Sequence, residues 1–308
     1  MTKAMAFNEY GDADVLRPID IELPAPGPGQ VRVAVRAVGV NPLDHKVRSG
    51  AMVDMFPVAF PAVPGYELAG VVEAVGEDVS GLAPGDEVFG AVMGGAYAEQ
   101  VLVPAGQLSR KPASLGWEEA AALPVAAETA ERALDVLGVQ PGETLLVHGA
   151  AGGVGTVLLQ FARARGITVI GTASEANHDH LRALGAIPVA YGDGLAERVR
   201  AVAPDGVDRA LDAVGQGGVL PLSVELTGGA DRVLTIADFV GAEQYGIRFT
   251  GGTEGASYHQ RAYATALALH EAGTLRLPLH RVLPLAEAAE GQRISEGGHL
   301  RGKVVLTV

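Results

Sequence analysis

The nine residues "VHGAAGGVG" at positions 147–155 include four glycines and two alanines. The segment follows the apolar run "TLLV", which is typical of a buried strand, and leads into "VGTVLLQFARARG", which has helical spacing. A strand, a glycine-rich turn and a helix in this order form the context that a dinucleotide-binding fingerprint requires. Ala150 stands in place of the usual first glycine, and Gly152 and Gly155 stand in the other two places.

The two glycines have different tasks in such a turn. Gly152 lets backbone N–H groups approach a pyrophosphate, whereas Gly155 lets the helix pack closely on the strand. The N-terminus of the helix favours the anion. The pattern therefore predicts a pyrophosphate site, with a ligand-free turn of small residues as the alternative. Its residues are Ala151, Gly152, Gly153, Val154 and Gly155.

A dinucleotide site also needs a group that contacts the adenosine ribose, at the end of the second strand about 20 residues further on. The strand "TVIG" ends in "TASEAN", so Ser174 takes the position of the usual acid, 24 residues after Ala150. An acid there binds two ribose hydroxyls and favours NAD, whereas a small polar residue leaves room for a 2′-phosphate. We therefore predict NADPH rather than NADH, although Glu175 could point either inward or into solvent.

Strand-like and helix-like segments alternate from "TLLVHG" to "RVLTIAD", which indicates a doubly wound α/β fold with a parallel sheet. Before them, from Lys3 to about Pro112, short alternating runs separated by Pro and Gly are typical of a β-rich unit. The alanine-rich stretch between the two, which starts near Trp117, predicts a helix that ends at Gly138. After Gly273 the chain returns to short strands around one helix, and we expect it to rejoin the first unit.

Composition excludes several kinds of site and partner. The 308 residues include no cysteine, which rules out disulfides, thiolate nucleophiles and zinc sites that need sulfur. The net charge of −13 argues against nucleic acid or an acidic membrane surface as the main partner. The chain contains neither a membrane-length apolar run nor a secretory signal, so we expect a cytoplasmic protein that acts on a small molecule.

Motifs along the whole chain resemble those of the medium-chain dehydrogenase/reductase family, in its zinc-free quinone oxidoreductase branch. They are "VGVNPLDHKVRSG", "PGYELAGVVEAVG", "GLAPGDEVFG", "GGAYAEQVLVP", "ALPVAAETA", "LLVHGAAGGVG" and "GHLRGKVVL". The resemblance implies a GroES-like β-barrel domain of residues 1–122 and 275–308 and a Rossmann domain of residues 123–274, with the active site in the cleft. It also implies a homodimer formed by extension of the Rossmann sheet.

Zinc-using members of this family have cysteine at the position of Asn41 and histidine at that of Tyr66, so the resemblance implies a zinc-free site. A metal bound by Asp44, His45 and Glu67 is the alternative. Without a Lewis acid, reduction of a quinone or a polarised C=C bond is expected rather than oxidation of a simple alcohol. We predict that Asn41 donates a hydrogen bond to the substrate oxygen. Tyr66 is a second catalytic candidate, with core packing as its alternative role.

The resemblance implies further cofactor contacts, each of which has an ordinary structural role as its alternative. Thr129 corresponds to a residue near the nicotinamide, and Tyr191 to one beside the 2′-phosphate. Asn177 stands where many NADPH-preferring members have lysine, and its amide can bind a phosphate without neutralising it. The remaining positions, near the nicotinamide ribose, its carboxamide and the cleft, are Val214, Gly215, Ile236 and Lys303.

The predicted function is transfer of a hydride from NADPH to a quinone or an α,β-unsaturated carbonyl. Enoyl-thioester reductases of the family have a tyrosine where this chain has Met52, so a fatty enoyl thioester is not the first choice. A non-catalytic protein that binds NADPH in a structural or redox-sensing role is the alternative. His148 is expected to be structural.

Overall fold

The computed structural model describes residues 1–216, 218–251 and 258–308. The chain divides into two units, Met1–Val125 with Leu277–Val308, and Ala126–Arg276. The domain bounds 1–122 with 275–308 and 123–274 stay a prediction. Across the described ranges, no helix is long and apolar enough to cross a membrane.

Strands and helices of the described residues are numbered in chain order. The strands are β1 (Thr2–Ala6), β2 (Arg17–Ile21), β3 (Gln30–Val40), β4 (Glu67–Val75), β5 (Glu87–Ala91), β6 (Gln100–Pro104), β7 (Leu108–Arg110), β8 (Thr144–His148), β9 (Thr168–Ala173), β10 (Ile187–Ala190), β11 (Arg209–Asp212), β12 (Val233–Thr235), β13 (Arg248–Phe249), β14 (Leu279–Pro284) and β15 (Lys303–Thr307). The α-helices are α1 (Pro42–Arg48), α2 (Trp117–Ala122), α3 (Pro124–Leu137), α4 (Gly153–Ala164), α5 (His178–Ala183), α6 (Leu195–Val202), α7 (Val219–Thr227), α8 (Phe239–Tyr245), α9 (His259–Glu271) and α10 (Ala288–Gly297).

The first unit is built around β3, whose valines alternate with less buried residues. Val31, Val33 and Val35 are buried in the core of this unit. Alternation of this kind turns one face of a strand inward, and β-branched side chains suit a pleated surface. β3 pairs antiparallel with β4, β6 and β15, so the last strand of the chain lies beside it.

The second unit contains a six-stranded parallel sheet in the order β10-β9-β8-β11-β12-β13. Leu145, Leu146 and Val147 of the central strand β8 are fully buried, as expected for a parallel strand with both faces covered. The predicted doubly wound α/β fold is confirmed.

The prediction of one helix from Trp117 to Gly138 is wrong in one respect, because two helices, α2 and α3, cover this stretch. Pro124 starts the second helix, since proline lacks the N–H that a continuing helix needs and its ring crowds the preceding turn. The predicted end is correct. Gly138 follows α3 in a left-handed conformation, with φ of +66°.

Candidate functional site

The turn between β8 and α4 bends at Gly149, whose φ of +77° lies in the region that favours glycine. The sequence prediction placed the first fingerprint position at Ala150, one residue later than the residue that makes the bend. Ala150 is fully buried, and its N–H donates to the carbonyl oxygen of Thr172 on β9 at 3.1 Å. A glycine directly after a buried strand was the available signal for Gly149.

Two glycines further along the turn differ in what surrounds them. A Cβ atom built on Gly155 would lie 2.5 Å from the carbonyl oxygen of Gly149, so the packing of α4 on the turn requires glycine there. A Cβ atom on Gly152 would lie 3.4 Å from the same oxygen, and Gly152 has an ordinary φ of −69°. The surrounding protein therefore tolerates a small side chain at Gly152, so packing alone does not require glycine there.

The first turn of α4 is suited to an anion. Gly152 is its N-cap residue and supplies no side-chain cap, since glycine has none to offer. The first N–H groups of a helix lack partners within the helix, and the helix dipole places partial positive charge beside them. The turn brings together the predicted residues Ala151 to Gly155, and a dinucleotide pyrophosphate fits this arrangement.

Two of the residues predicted for the adenosine ribose contact each other. Ser174 follows β9, and its Oγ atom accepts a hydrogen bond from Asn177 Nδ2 at 3.1 Å. Ala190 pairs with Ala173, so Tyr191 follows β10 at the same edge of the sheet and is 51% exposed. Glu175 is exposed, whereas the uncharged Ser174 and Asn177 are half-buried.

Arg198 of α6 holds the loop that begins with Tyr191. Its guanidinium donates to the carbonyl oxygens of Ala190 at 3.0 Å, Tyr191 at 3.3 Å, Gly192 at 3.2 Å and Asp193 at 2.7 Å. Sequence reasoning missed this residue. The only signal in the sequence was an arginine early in the helix that follows β10, and such an arginine resembles an ordinary solvated charge.

The residues predicted near the nicotinamide ribose lie in a loop organised by Asp212. The Asp212 carboxylate accepts N–H groups from Val214 at 2.8 Å and Gly215 at 3.1 Å, and the Thr235 hydroxyl at 2.8 Å. Ile236 donates its N–H to the carbonyl oxygen of Asp212 at 3.0 Å. Asp212 is therefore a buried brace that brings the loops after β11 and β12 together.

Thr129 on α3 is buried beside an ion pair. Its hydroxyl lies 3.4 Å from Glu128 Oε2 and 3.5 Å from Arg132 Nη2. Arg132 also donates to Glu128 Oε1 and to the Thr250 hydroxyl, both at 2.7 Å. These contacts restrict the position of the Thr129 side chain.

In the first unit, the Asn41 side chain contacts two buried charged residues, Glu67 and Lys303. Asn41 Nδ2 donates to Glu67 Oε1 at 2.8 Å, while Lys303 Nζ donates to Asn41 Oδ1. Lys303 Nζ also lies 2.7 Å from Glu67 Oε1 and 3.0 Å from the carbonyl oxygen of Val40. We call Asn41, Glu67 and Lys303 the Asn41 cluster. Lys303 was predicted as a cofactor contact, and these three acceptors all belong to the first unit.

Asp44 fixes the backbone on both sides of this cluster. Its Oδ2 accepts the N–H of Asn41 at 2.7 Å, and its Oδ1 accepts that of Gly65, next to Tyr66, at 2.9 Å. Burial raises the pKa of Asp44 from 3.8 to about 7, although both hydrogen bonds and the charge of Lys303 act in the opposite direction.

Tyr66 is 9% exposed and packs edge-on against Phe56, with ring centroids 6.4 Å apart. Burial, and to a lesser extent the carboxylate of Asp44, raises the pKa of its phenol above 10.0. The phenol therefore keeps its proton at neutral pH and is available as a hydrogen-bond donor.

His148 at the end of β8 is fully buried, with Nε2 3.0 Å from Ser223 Oγ and Nδ1 3.4 Å from Thr172 Oγ1. Burial lowers the pKa of His148 to about 4, so the ring is neutral at pH 7. Within the described ranges, no group of three or more His, Asp or Glu side chains has the arrangement of a metal site.

Two family models match the chain. A model of the alcohol dehydrogenase GroES-like domain covers residues 27–113, and a model of the zinc-binding dehydrogenase covers residues 184–306.

Curated relatives are larger than the matched region. The chain is 39% identical over 319 residues to the pikromycin polyketide synthase component PikAII of Streptomyces venezuelae, covering 97% of this chain and 8% of that protein. It is 36% identical over 246 residues to the 2-methylene-furan-3-one reductase of Solanum lycopersicum, covering 76% and 62%. The chain thus spans less than two thirds of both relatives.

Solved structures match over the full length. The quinone oxidoreductase from Coxiella burnetii is 31% identical with a TM-score of 0.84, covering 100% of this chain and 99% of that one. A mycobacterial protein complexed with NADPH is 28% identical with a TM-score of 0.84, covering 100% of both chains. A structure described as an NAD-dependent alcohol dehydrogenase is 32% identical with a TM-score of 0.84, covering 99% of both.

A GroES-like unit together with a Rossmann-type parallel sheet defines the class of two-domain dehydrogenases and reductases. The chain belongs to the medium-chain dehydrogenase/reductase family, and quinone oxidoreductases are among its structural neighbours.

Proposed function

We propose that this chain is an NADPH-dependent reductase that transfers a hydride to a quinone or an α,β-unsaturated carbonyl without zinc. The observation that carries the proposal is the Asn41 cluster. At the position where zinc-using members have cysteine, the chain has an amide that Glu67 and Lys303 hold in place. A divalent cation on Glu67 would have to displace the Lys303 ammonium or lie beside it, and like charges repel.

The second unit would hold the cofactor. The N–H groups of residues 151–155 would bind the pyrophosphate, and Ser174, Asn177 and Tyr191 would surround the adenosine ribose. Thr129, Val214, Gly215 and Ile236 would lie on the nicotinamide side. When bound, NADPH would supply the hydride.

Uncharged groups after β9 support the choice of NADPH. Ser174 and Asn177 leave room for a 2′-phosphate, which an acid at Ser174 would repel. The NADPH complex of the mycobacterial neighbour is consistent with this choice. Another neighbour is described as NAD-dependent, so the choice depends on these local residues rather than on overall similarity.

Asn41 would act on the substrate. Negative charge builds up on the oxygen of a quinone or enone as its conjugated system accepts a hydride, and a fixed N–H donor stabilises that charge. An amide nitrogen carries two N–H groups, and Asn41 uses one of them on Glu67. Water would then protonate the enolate or hydroquinone anion, and Tyr66 is the second candidate for a contact with the substrate.

We also propose a homodimer in which β13, an edge strand of the parallel sheet, pairs with its counterpart in a second copy. An edge strand offers unpaired N–H and C=O groups for such an extension. Light scattering coupled to size-exclusion chromatography checks the mass, and a monomer at micromolar concentration contradicts this assembly.

The function is tested by following NADPH oxidation with 1,4-benzoquinone, 9,10-phenanthrenequinone and a simple enone, before and after dialysis against a chelator. Turnover that survives chelation is expected. Loss of activity that zinc restores contradicts the zinc-free reaction. If the protein binds NADPH tightly but turns over none of these acceptors, the enzyme hypothesis is wrong and the alternative, a non-catalytic NADPH-binding protein, takes its place.

A further inference from the structure

The register of three neighbouring strands assembles the Asn41 cluster. Val304 of β15 pairs with Val40 of β3, which places Lys303 opposite Asn41, one residue further along the two strands. On the other side of β3, Leu68 pairs with Val38, so Glu67 lies opposite Gly39.

Gly39 makes room for the Glu67 carboxylate. A Cβ atom built on Gly39 would lie 2.1 Å from Glu67 Oε1 and 2.7 Å from the carbonyl oxygen of Ala121. Glu67 therefore reaches across β3 toward Asn41 only because the intervening residue has no side chain. Its second oxygen, Oε2, accepts the N–H of Val125 at 2.8 Å, which fixes the carboxylate from behind.

The two charged partners determine which way the Asn41 amide faces. An ammonium group only donates hydrogen bonds and a carboxylate only accepts them, so Oδ1 must face Lys303 and Nδ2 must face Glu67. Rotation of the amide by half a turn would place N–H groups against the ammonium and the carbonyl oxygen against the carboxylate. Both contacts would be repulsive, and Lys303 and Glu67 would each lose one hydrogen bond in a buried place while they keep their contact with each other.

Stability alone is a poor reason for this arrangement. Glu67 is fully buried, Lys303 is 6% exposed and Asn41 is 4% exposed. Apolar residues of similar volume are often as stabilising as a buried ion pair, because two charges lose their hydration. The ion pair does orient the Asn41 amide. The Lys303 ammonium, which donates to Oδ1, also polarises the amide so that its N–H groups become better donors.

We propose that Glu67 and Lys303 are positioning residues that hold the Asn41 amide in the one orientation that presents its second N–H to the substrate oxygen. This inference rests on the proposed function, in which Asn41 is the donor. Glu67 and Lys303 act through Asn41 and do not contact the substrate. Their exchange for Gln and Met keeps the approximate shape and removes both charges, so neither partner is left as an unpaired buried ion.

The orientation is measured first on the protein without cofactor or substrate. The chain has three asparagines, Asn8, Asn41 and Asn177, so side-chain 15N labelling of asparagine gives three NH2 pairs in an NMR spectrum. Asn41→Ala assigns the Asn41 pair. In the Glu67→Gln/Lys303→Met variant this pair should shift and broaden or double, because a glutamine amide can either donate or accept and so permits both orientations. The pairs of Asn8 and Asn177 should stay in place.

Lys111 provides a matched control. It is another buried lysine, and its ammonium lies 2.8 Å from the carbonyl oxygen of Leu115 and 2.9 Å from Glu87 Oε2. Lys111→Met also removes a buried ammonium, but it should leave the Asn41 pair and kcat unchanged. An Asn41 pair that is unmoved in the Glu67→Gln/Lys303→Met variant overturns the inference.

Kinetics test the consequence. The Glu67→Gln/Lys303→Met variant should lower kcat about 10-fold or more with unchanged NADPH affinity. The same two exchanges made in Asn41→Ala should cause little further loss, because residues that act as a unit are not additive. Losses that multiply overturn the inference. A wild-type protein that turns over no acceptor overturns the proposed function instead, and the NMR comparison separates the two failures because it needs no activity.

Discussion

Gly155 packs against the carbonyl oxygen of Gly149 so closely that a Cβ atom on Gly155 would lie 2.5 Å from it. Gly152, three residues earlier, has room for a Cβ atom 3.4 Å from the same oxygen. The two glycines thus separate a requirement of folding, at Gly155, from the proposed requirement of pyrophosphate binding, at Gly152.

Gly155→Ala should lower the free energy of unfolding by about 1–3 kcal/mol, the usual effect of overpacking. Gly152→Ala should change it by no more than about 0.5–1 kcal/mol but weaken NADPH binding about 10-fold or more, since its methyl group would stand where the pyrophosphate approaches. Urea unfolding and fluorescence titration with NADPH measure the two effects, and each variant is the control for the other. If Gly152→Ala binds NADPH as tightly as the wild type does, the pyrophosphate does not bind at this turn.

Ser174→Asp should reverse the cofactor preference. A carboxylate after β9 can accept two ribose hydroxyls of NADH and repels the 2′-phosphate of NADPH. We expect NADPH affinity to fall at least about 10-fold while NADH affinity rises, one decade being about 1.4 kcal/mol. Ser174→Asn, which has the same shape without the charge, is the control. If the wild type uses NADPH and NADH equally well, Ser174 does not determine a preference for NADPH.

Asn41→Ala should lower kcat by about 100-fold or more, the usual effect of losing an oxyanion donor, with little change in NADPH affinity. Tyr66→Phe removes only the hydroxyl. The variant should lose activity if Tyr66 donates a hydrogen bond to the substrate, and should keep it if the ring only packs against neighbouring side chains. Steady-state rates with 9,10-phenanthrenequinone and NADPH binding measured separately make the distinction. An unchanged kcat in Asn41→Ala would take Asn41 out of the reaction.

The pKa of Asp44, raised to about 7 in the folded protein, predicts a pH-dependent stability. Between the unfolded value near 3.8 and about 7, the folded state binds more protons than the unfolded state. The stability contributed by Asp44 is therefore present below pH 3.8 and is lost as pH rises through about 7. Relative to Asp44→Asn, the wild type should lose up to about 1.4 kcal/mol per pH unit in this range.

Urea unfolding of the wild type and Asp44→Asn at half-unit steps from pH 5 to pH 8 measures this difference. Because His148 titrates in both proteins, its contribution cancels in the comparison. Parallel curves for the two proteins would mean that Asp44 has an ordinary pKa.

The dinucleotide turn could be predicted from sequence because its information is local. A buried strand, the glycines and a helix follow one another within residues 144–164, and Ser174 is placed by counting to the end of the next strand. The left-handed bend lies at Gly149, one residue before the first fingerprint position, and the small size of these residues did not predict which of them would have a positive φ.

The Asn41 cluster could not be assembled in the same way. Asn41 and Lys303 are 262 positions apart, and Asn41 and Glu67 are 26 apart. Only the register of β3 against β15 and β4 brings them together, and a slip of one residue would turn Lys303 to the opposite face of the sheet. Asp212 shows a further limit of prediction from sequence. Its carboxylate accepts hydrogen bonds from its own loop, and the residue type alone does not predict that direction.

The position of β15 beside β3 has a consequence for the newly made chain. A ribosome completes Asn41, Glu67 and the entire second unit before it adds Lys303. Until then Glu67 has no cation beside it, and the edge of β3 that β15 later covers lacks its partner strand. The first unit can therefore close only after the second unit has been made. A nascent chain released before Lys303 would expose a bare strand edge and an unneutralised carboxylate, features that favour aggregation and degradation.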